Sequence, residues 1–168
     1  MKTLTIDIRK AEPQDAAAIA GVHAASWQGA YAGIIPFKAL TAMISRRGVA
    51  WWADAIRRAA SVLVVEIGGE VVGYATFGRN RARELPQEGE IYELYVRPEY
   101  QGVGLGTRLF EAARGRLAAH GLSGLVVWAL EDNAGAARFY AGAGGRDVAE
   151  GVEVFDQRAL RKIAFVWD

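Results

Sequence analysis

Apolar residues recur along this chain with two periods, and each period predicts its own kind of element. At the start Leu4, Ile6 and Ile8 alternate with polar neighbours, which is the two-residue rhythm of a strand that stops before Ala11-Glu12-Pro13. Pro13 suits a first helical turn, Asp15 complements a helix N-terminus, and Ala16 to Ala30 holds good helix formers until Gly33 and Pro36. Within that helix His23, Trp27 and Tyr31 stand four residues apart on one stripe. A second helical stretch runs from about Phe37 to Ala60, with a break near Arg47-Gly48. Ser61 to Ile67 and Val71 to Phe77 are β-rich runs around Gly68-Gly69-Glu70, the pattern of an antiparallel hairpin, and a loop carrying Arg79, Arg81 and Arg83 follows it.

The second half repeats the two periods. Glu90 to Val96 reads as a strand ended by Pro98, and Gly102 to His120 as a glycine-rich entry into a helix. Leu105, Leu109, Ala113 and Leu117 form that helix's apolar face, and Gly121 stops it. Leu125 to Leu130 is an uninterrupted apolar run of strand length, which suits a strand buried on both faces of a parallel pair. Strand, crossover helix and strand of this length make a right-handed βαβ unit. A short helix from about Asn133 to Ala143 leads to closing strands near Asp147 to Phe155 and Lys162 to Trp167. The sum is an α+β domain, a mixed sheet of about seven strands with about four helices, occupying residues 1–168 without repeat or linker.

Composition narrows the chemistry. Twenty Lys and Arg against nineteen Asp and Glu leave a net charge of +1, too balanced to call for nucleic acid or an anionic membrane. With no cysteine the chain has no disulfide, thiolate zinc site, iron–sulfur cluster or cysteine nucleophile. His23 and His120 have no partner at ligand spacing, so no metal is expected. No serine sits in a Gly-x-Ser-x-Gly elbow. No apolar run reaches the roughly 20 residues of a membrane span, and the opening residues alternate instead of forming a signal-peptide core. The expectation is a cytoplasmic protein.

The segment richest in chemistry is Gln101-Gly102-Val103-Gly104-Leu105-Gly106-Thr107-Arg108, between a strand and a helix. Alternate glycines let the backbone approach a ligand, and the free N–H groups of the first helical turn point at it, so the loop makes a cradle for phosphate or pyrophosphate. The plainer reading is a tight turn. A P-loop would place Lys-Ser/Thr after the last glycine, where Thr107-Arg108 stands. A dinucleotide fold would begin its glycines directly after the strand and place Gly or Ala where Thr107 stands, which leaves a Rossmann-type nucleotide enzyme as a distant alternative.

With its flanks, Leu94-Tyr95-Val96-Arg97-Pro98 through Leu109, the segment resembles the acetyl-CoA signature of the GNAT superfamily of N-acetyltransferases, Arg/Gln-x-x-Gly-x-Gly/Ala. Downstream, Asn133-Ala134-Gly135-Ala136-Ala137-Arg138-Phe139-Tyr140 is similar to the family's Asn-x-x-Ala-x-x-Phe-Tyr, and Trp27, Tyr31, Gly33 and Pro36 fit one bacterial branch. Gly144-Gly145 departs from the family's usual Gly-Phe. The resemblance implies a fold with splayed parallel central strands and direct transfer from acetyl-CoA to a primary amine of a small molecule or peptide, with no metal and with a homodimer open. A CoA-binding sensor without catalysis is the alternative on the same fold.

The resemblance also implies roles. Leu94, Tyr95 and Val96 would pair with the pantetheine arm, and Gln101, Gly102, Val103, Gly104, Leu105, Gly106 and Thr107 would cradle the pyrophosphate with Arg108 nearby. Asn133 and Tyr140 would complete the donor site, Tyr140 as acid toward the departing thiolate. An alkyl amine is mostly protonated near neutral pH, so a base is required. Glu90 and Glu93 are the strand carboxylates in reach, and strict alternation points them to opposite faces unless a bulge intervenes. Trp27 and Tyr31 would wall the acceptor site, or belong to the core as a helical stripe. Arg79, Arg81 and Arg83 read as a solvated loop face.

Overall fold

A computed structural model describes residues 4–58 and 61–168. Seven strands form one sheet: β1 Ile6–Lys10, β2 Val62–Ile67, β3 Glu70–Arg79, β4 Gly89–Val96, β5 Leu125–Leu130, β6 Arg146–Phe155 and β7 Arg158–Trp167, in the spatial order β1-β2-β3-β4-β5-β7-β6. Only β4 and β5 pair in parallel; the other neighbours are antiparallel. That mixture removes the Rossmann-type reading, which needs an essentially parallel sheet.

Among the described residues five α-helices cover the sheet: α1 Ala16–Tyr31, α2 Phe37–Arg46, α3 Val49–Arg57, α4 Leu105–Ala119 and α5 Ala134–Gly142. That is one more than expected, because the long helical stretch divides where anticipated. Arg47 leaves helical geometry (φ −106°, ψ 55°) and Gly48 is extended. The end of that stretch, Ala59 and Ala60, lies outside the described residues.

Both faces of the inner strands β2, β3 and β5 are buried, and this explains their unbroken apolar runs. In β2, Leu63 and Val65 pack with Leu105, Leu109, Phe110 and Ala113 of α4, whereas Val62 and Val64 pack with Ile19 and Val22 of α1 and Trp52 of α3. The four anticipated core positions of α4 are all at most 3% exposed. At Gly145 an added Cβ would stand 2.6 Å from the indole of Trp167, so the C-terminal tryptophan occupies the space beside this glycine. The indole stacks near Phe110 and Tyr140 and donates its N–H to the Ala143 carbonyl at 3.0 Å.

One irregularity positions everything that follows. Along the β3–β4 ladder Thr76 faces Glu93 but Phe77 faces Ile91, which leaves Tyr92 as an extra residue in β4. Such a bulge bends its strand and increases its twist. Consistent with that bend, β4 pairs with β5 only at Gly89, Glu90 and Ile91, and from Tyr92 onward the two strands part. The splay opens toward the C-terminal ends of the parallel strands, where open α/β sheets place their ligands.

Candidate active site

Two cavities meet at the splay. The larger, about 610 Å³, is walled by Leu94, Tyr95 and Val96 of β4, by the loop Gln101, Gly102, Gly104, Gly106 and Thr107, and by Asn133, Phe139 and Tyr140. Gly102 (φ 81°) and Gly104 (φ 84°) are left-handed, and an added Cβ at either would meet nothing within 4 Å. The loop therefore presents bare backbone to an open space. Gly104 caps α4, and the first-turn N–H groups that follow have no intrahelical acceptor. The Gln101 side chain donates to the Val96 carbonyl at 3.1 Å and ties the loop to the end of β4. This polar, concave backbone fits a phosphate-bearing donor such as CoA.

Three residues of this stretch have side chains off the cavity wall, which a cradle of backbone amides allows. Val103 projects outward at 67% exposure, Leu105 is a core residue at 1%, and Arg108 is exposed and outside the cavity wall. The amphipathic period of α4 dictates this: position 105 belongs to the buried stripe, so its amide alone is available to a ligand. Conversely, Ser26, Gly29 and Ala30 of α1 line the cavity and were not anticipated. Their signal was the run Ala24-Ala25-Ser26 and Gly29-Ala30, small residues that let α1 lie close over the splay. Gly29 would place a Cβ 3.7 Å from Pro98.

Asn133 carries both expected features. Its Oδ1 accepts from the Ala136 N–H at 3.2 Å, capping α5, and its side of the helix faces the cavity. Tyr140 is buried against Phe139, Phe165 and Trp167 while bordering the same space. Burial, with a smaller effect of the Tyr31 phenol, pushes its hydroxyl well above the usual tyrosine range, so it persists as a hydrogen-bond donor.

The second cavity, about 220 Å³, is bordered by Trp27, Tyr31, Arg47, Arg81, Tyr92, Glu93, Trp128, Glu153 and Lys162 among others. Tyr95 borders both cavities and marks their junction, and its hydroxyl bonds that of Tyr31 at 2.8 Å. Tyr92 and Glu93, adjacent in sequence, line the same cavity because of the bulge between them and β3.

The two strand carboxylates have different surroundings. Glu90 is 2% exposed and accepts from the Arg81 backbone N–H and Nη2, both at 2.9 Å; it borders neither cavity. Arg81 is exposed, as expected of a solvated loop, and in addition neutralises this buried carboxylate and lies 4.0 Å above the Tyr92 ring. Glu93 borders the acceptor-side cavity, where its Oε1 is bonded by Arg47 and its Oε2 accepts from the Tyr74 hydroxyl at 2.9 Å.

Behind Glu93 the network continues to His23, whose Nδ1 lies 3.1 Å from the Tyr74 oxygen. The single phenolic proton of Tyr74 goes to Glu93, so His23 donates from Nδ1 as the neutral tautomer. Burial, assisted by the charge of Arg47, pushes the His23 pKa down to about 4. Neither Tyr74 nor Arg47 was singled out from sequence: Tyr74 is one apolar-looking position in a strand run, and Arg47 sits at a helix break. Among the described residues no three His, Asp or Glu side chains converge as metal ligands.

Comparison with known proteins bears on the same residues. A sequence model described as the Acetyltransferase (GNAT) family matches residues 25–144. The uncharacterized N-acetyltransferase YuaI of Bacillus subtilis is 29% identical over 162 residues, spanning 96% of this chain and 92% of that relative. PaiA N-acetyltransferase from Thermoplasma acidophilum, solved in complex with coenzyme A, shares the fold with a TM-score of 0.76 over 94% of this chain and 98% of that one, at 19% identity. YncA of Salmonella typhimurium, solved with acetyl-CoA, reaches a TM-score of 0.71 over 97% and 93% of the two chains at 25% identity.

Proposed function

The chain belongs to the GNAT acetyltransferase family, and from that premise we propose that it acetylates a primary amine held in the smaller cavity, using acetyl-CoA held in the larger. The supporting observation is the splay itself: the glycine loop and the Glu93 pocket open onto its two sides and share Tyr95. The reading treats the 168 residues as one cytoplasmic domain acting on a small-molecule or peptide amine.

Acetyl-CoA supplies the activated thioester. The chain's own groups then divide the work. Backbone N–H groups of the loop from Gln101 to Thr107 hold the pyrophosphate, and the β5-facing edge of β4 beyond Ile91, paired with β3 on its other side, holds the pantetheine arm. Glu93, the carboxylate bordering the acceptor cavity two residues from the junction at Tyr95, takes the ammonium proton. Glu90 is left out of this role because it is buried beneath Arg81 and borders neither cavity. As the amide C–N bond forms the thioester C–S bond breaks, and the sulfur leaves as a thiolate that accepts a hydrogen bond from the Tyr140 hydroxyl, whose pKa burial raises. It is released as thiol on taking up the second proton that the nitrogen loses.

Release of free CoA thiol from acetyl-CoA, followed across a panel of amines, tests the reading. Turnover is expected, and Tyr140→Phe is expected to lower kcat roughly 10²-fold with acetyl-CoA affinity little changed. Tight acetyl-CoA binding without thiol release for any amine would favour a sensor module instead.

A further inference from the structure

The acceptor cavity holds three cations, and each is answered by a carboxylate. Arg81 is paired with Glu90, Lys162 with Glu153 at 3.2 Å, and Arg47 with Glu93. In the proposed acetyl transfer, on which this inference rests, one of these pairs must open, because Glu93 receives the ammonium of the acceptor. Arg47 then loses the one carboxylate paired with it among the described residues.

Arg47 is only partly open to water. Its guanidinium lies over three indole rings, 4.7 Å from Trp51, 5.7 Å from Trp27 and 5.9 Å from Trp52, and its side chain is 30% exposed. A cation stacked in this way is held in place, and a partly desolvated cation without a counter-charge is costly. The acceptor that opens the pair at least cost is one that brings an anion of its own. Because Arg47 and Glu93 are in direct contact, that anion must sit close to the amine.

We infer that the acceptor is a free α-amino acid with an apolar side chain, its ammonium replacing Arg47 on Glu93 and its carboxylate replacing Glu93 on Arg47. A polyamine would need further unpaired carboxylates, but Glu153, the other carboxylate bordering this cavity, is held by Lys162. A peptide N-terminus has a neutral amide where Arg47 needs an anion. The volume of about 220 Å³ suits one amino acid, and Trp27, Tyr31, Tyr95 and Trp128 offer aromatic walls to its side chain.

L-Leucine and L-phenylalanine are compared with their amides, with γ-aminobutyrate, with spermidine and with a tetrapeptide, using thiol release as the activity readout. Quenching of the cavity tryptophans by the same compounds, without acetyl-CoA, gives an independent binding readout. The expectation is a kcat/KM for leucine at least about tenfold above leucinamide, with γ-aminobutyrate and spermidine weaker still, and quenching by leucine but not leucinamide. In Arg47→Gln the leucine-to-leucinamide ratio should collapse toward one, and Arg47→Lys should restore part of it. If Arg47→Gln lowers both compounds equally, Arg47 only supports the fold and the inference falls. If leucinamide, spermidine or the tetrapeptide matches or exceeds leucine, the inference falls while acetyl transfer stands. If no amine releases thiol, both fall.

Discussion

Replacing Tyr74 with phenylalanine removes one oxygen from the centre of the molecule and leaves the ring packed against Trp52 and Tyr95. That oxygen is fully buried and serves two partners, donating to Glu93 at 2.9 Å and accepting from His23 at 3.1 Å. Losing a hydrogen bond to a charged acceptor costs about 1.5–3 kcal/mol, and a buried donor left unpaired costs about 1–3 kcal/mol. Partial relaxation of the histidine brings the expected loss to about 2–4 kcal/mol. For a protein of this size, that lowers Tm by about 4–16 °C. Urea unfolding followed by tryptophan fluorescence measures it. Tyr92→Phe is the matched control, because the Tyr92 hydroxyl donates only to the exposed Arg79 carbonyl; its expected cost is under about 1 kcal/mol. A double-mutant cycle of Tyr74→Phe with Glu93→Gln should return a coupling of about 1 kcal/mol or more. A Tyr74→Phe protein within about 0.5 kcal/mol of wild type, at unchanged denaturant slope, would refute the network reasoning.

Gly104→Val should weaken acetyl-CoA binding at least tenfold, about 1.4 kcal/mol, because φ 84° is hostile to a branched residue and the added side chain projects into the cradle; unchanged affinity by calorimetry with the fold intact would remove the loop from donor binding. Stability should fall as pH drops from about 6.5 to about 4, because the unfolded chain binds a proton at His23 with an ordinary pKa of 6.5 while the folded chain resists it down to about 4. The full window is worth about 3 kcal/mol, and His23→Gln should flatten it. Asp15, held below its usual 3.8 by Arg9, acts with the same sign at lower pH, its stabilisation being lost as the carboxylate protonates. Gly145→Phe should destabilise by about 3 kcal/mol, since its Cβ would stand within 3 Å of both Trp167 and the Tyr140 carbonyl, and adding Trp167→Ala should recover part of that loss.

Much of this molecule was legible along the chain because local periodicity and local conformational limits do not depend on distant partners. The strand rhythm around Ile6 and Ile8, the stripe of Leu105, Leu109, Ala113 and Leu117, the break at Arg47-Gly48 and the left-handed glycines of the cradle are properties of segments a few residues long. Tertiary structure decided the acceptor side. The bulge at Tyr92 brings Glu90 and Glu93, opposite Gly78 and Thr76 of β3, to one face, where strict alternation would separate them. Glu93 alone borders the cavity because it lies past the point where β4 parts from β5, whereas Glu90 is covered by Arg81. The partners that define Glu93 come from 46 residues away in Arg47 and 19 in Tyr74, and Tyr74 in turn meets His23 across 51. Trp167 reaches Gly145 only because β7 lies between β5 and β6. A single sequence records the chemistry each residue carries, but which charges meet is fixed by sheet order and register, and those are properties of the folded chain as a whole.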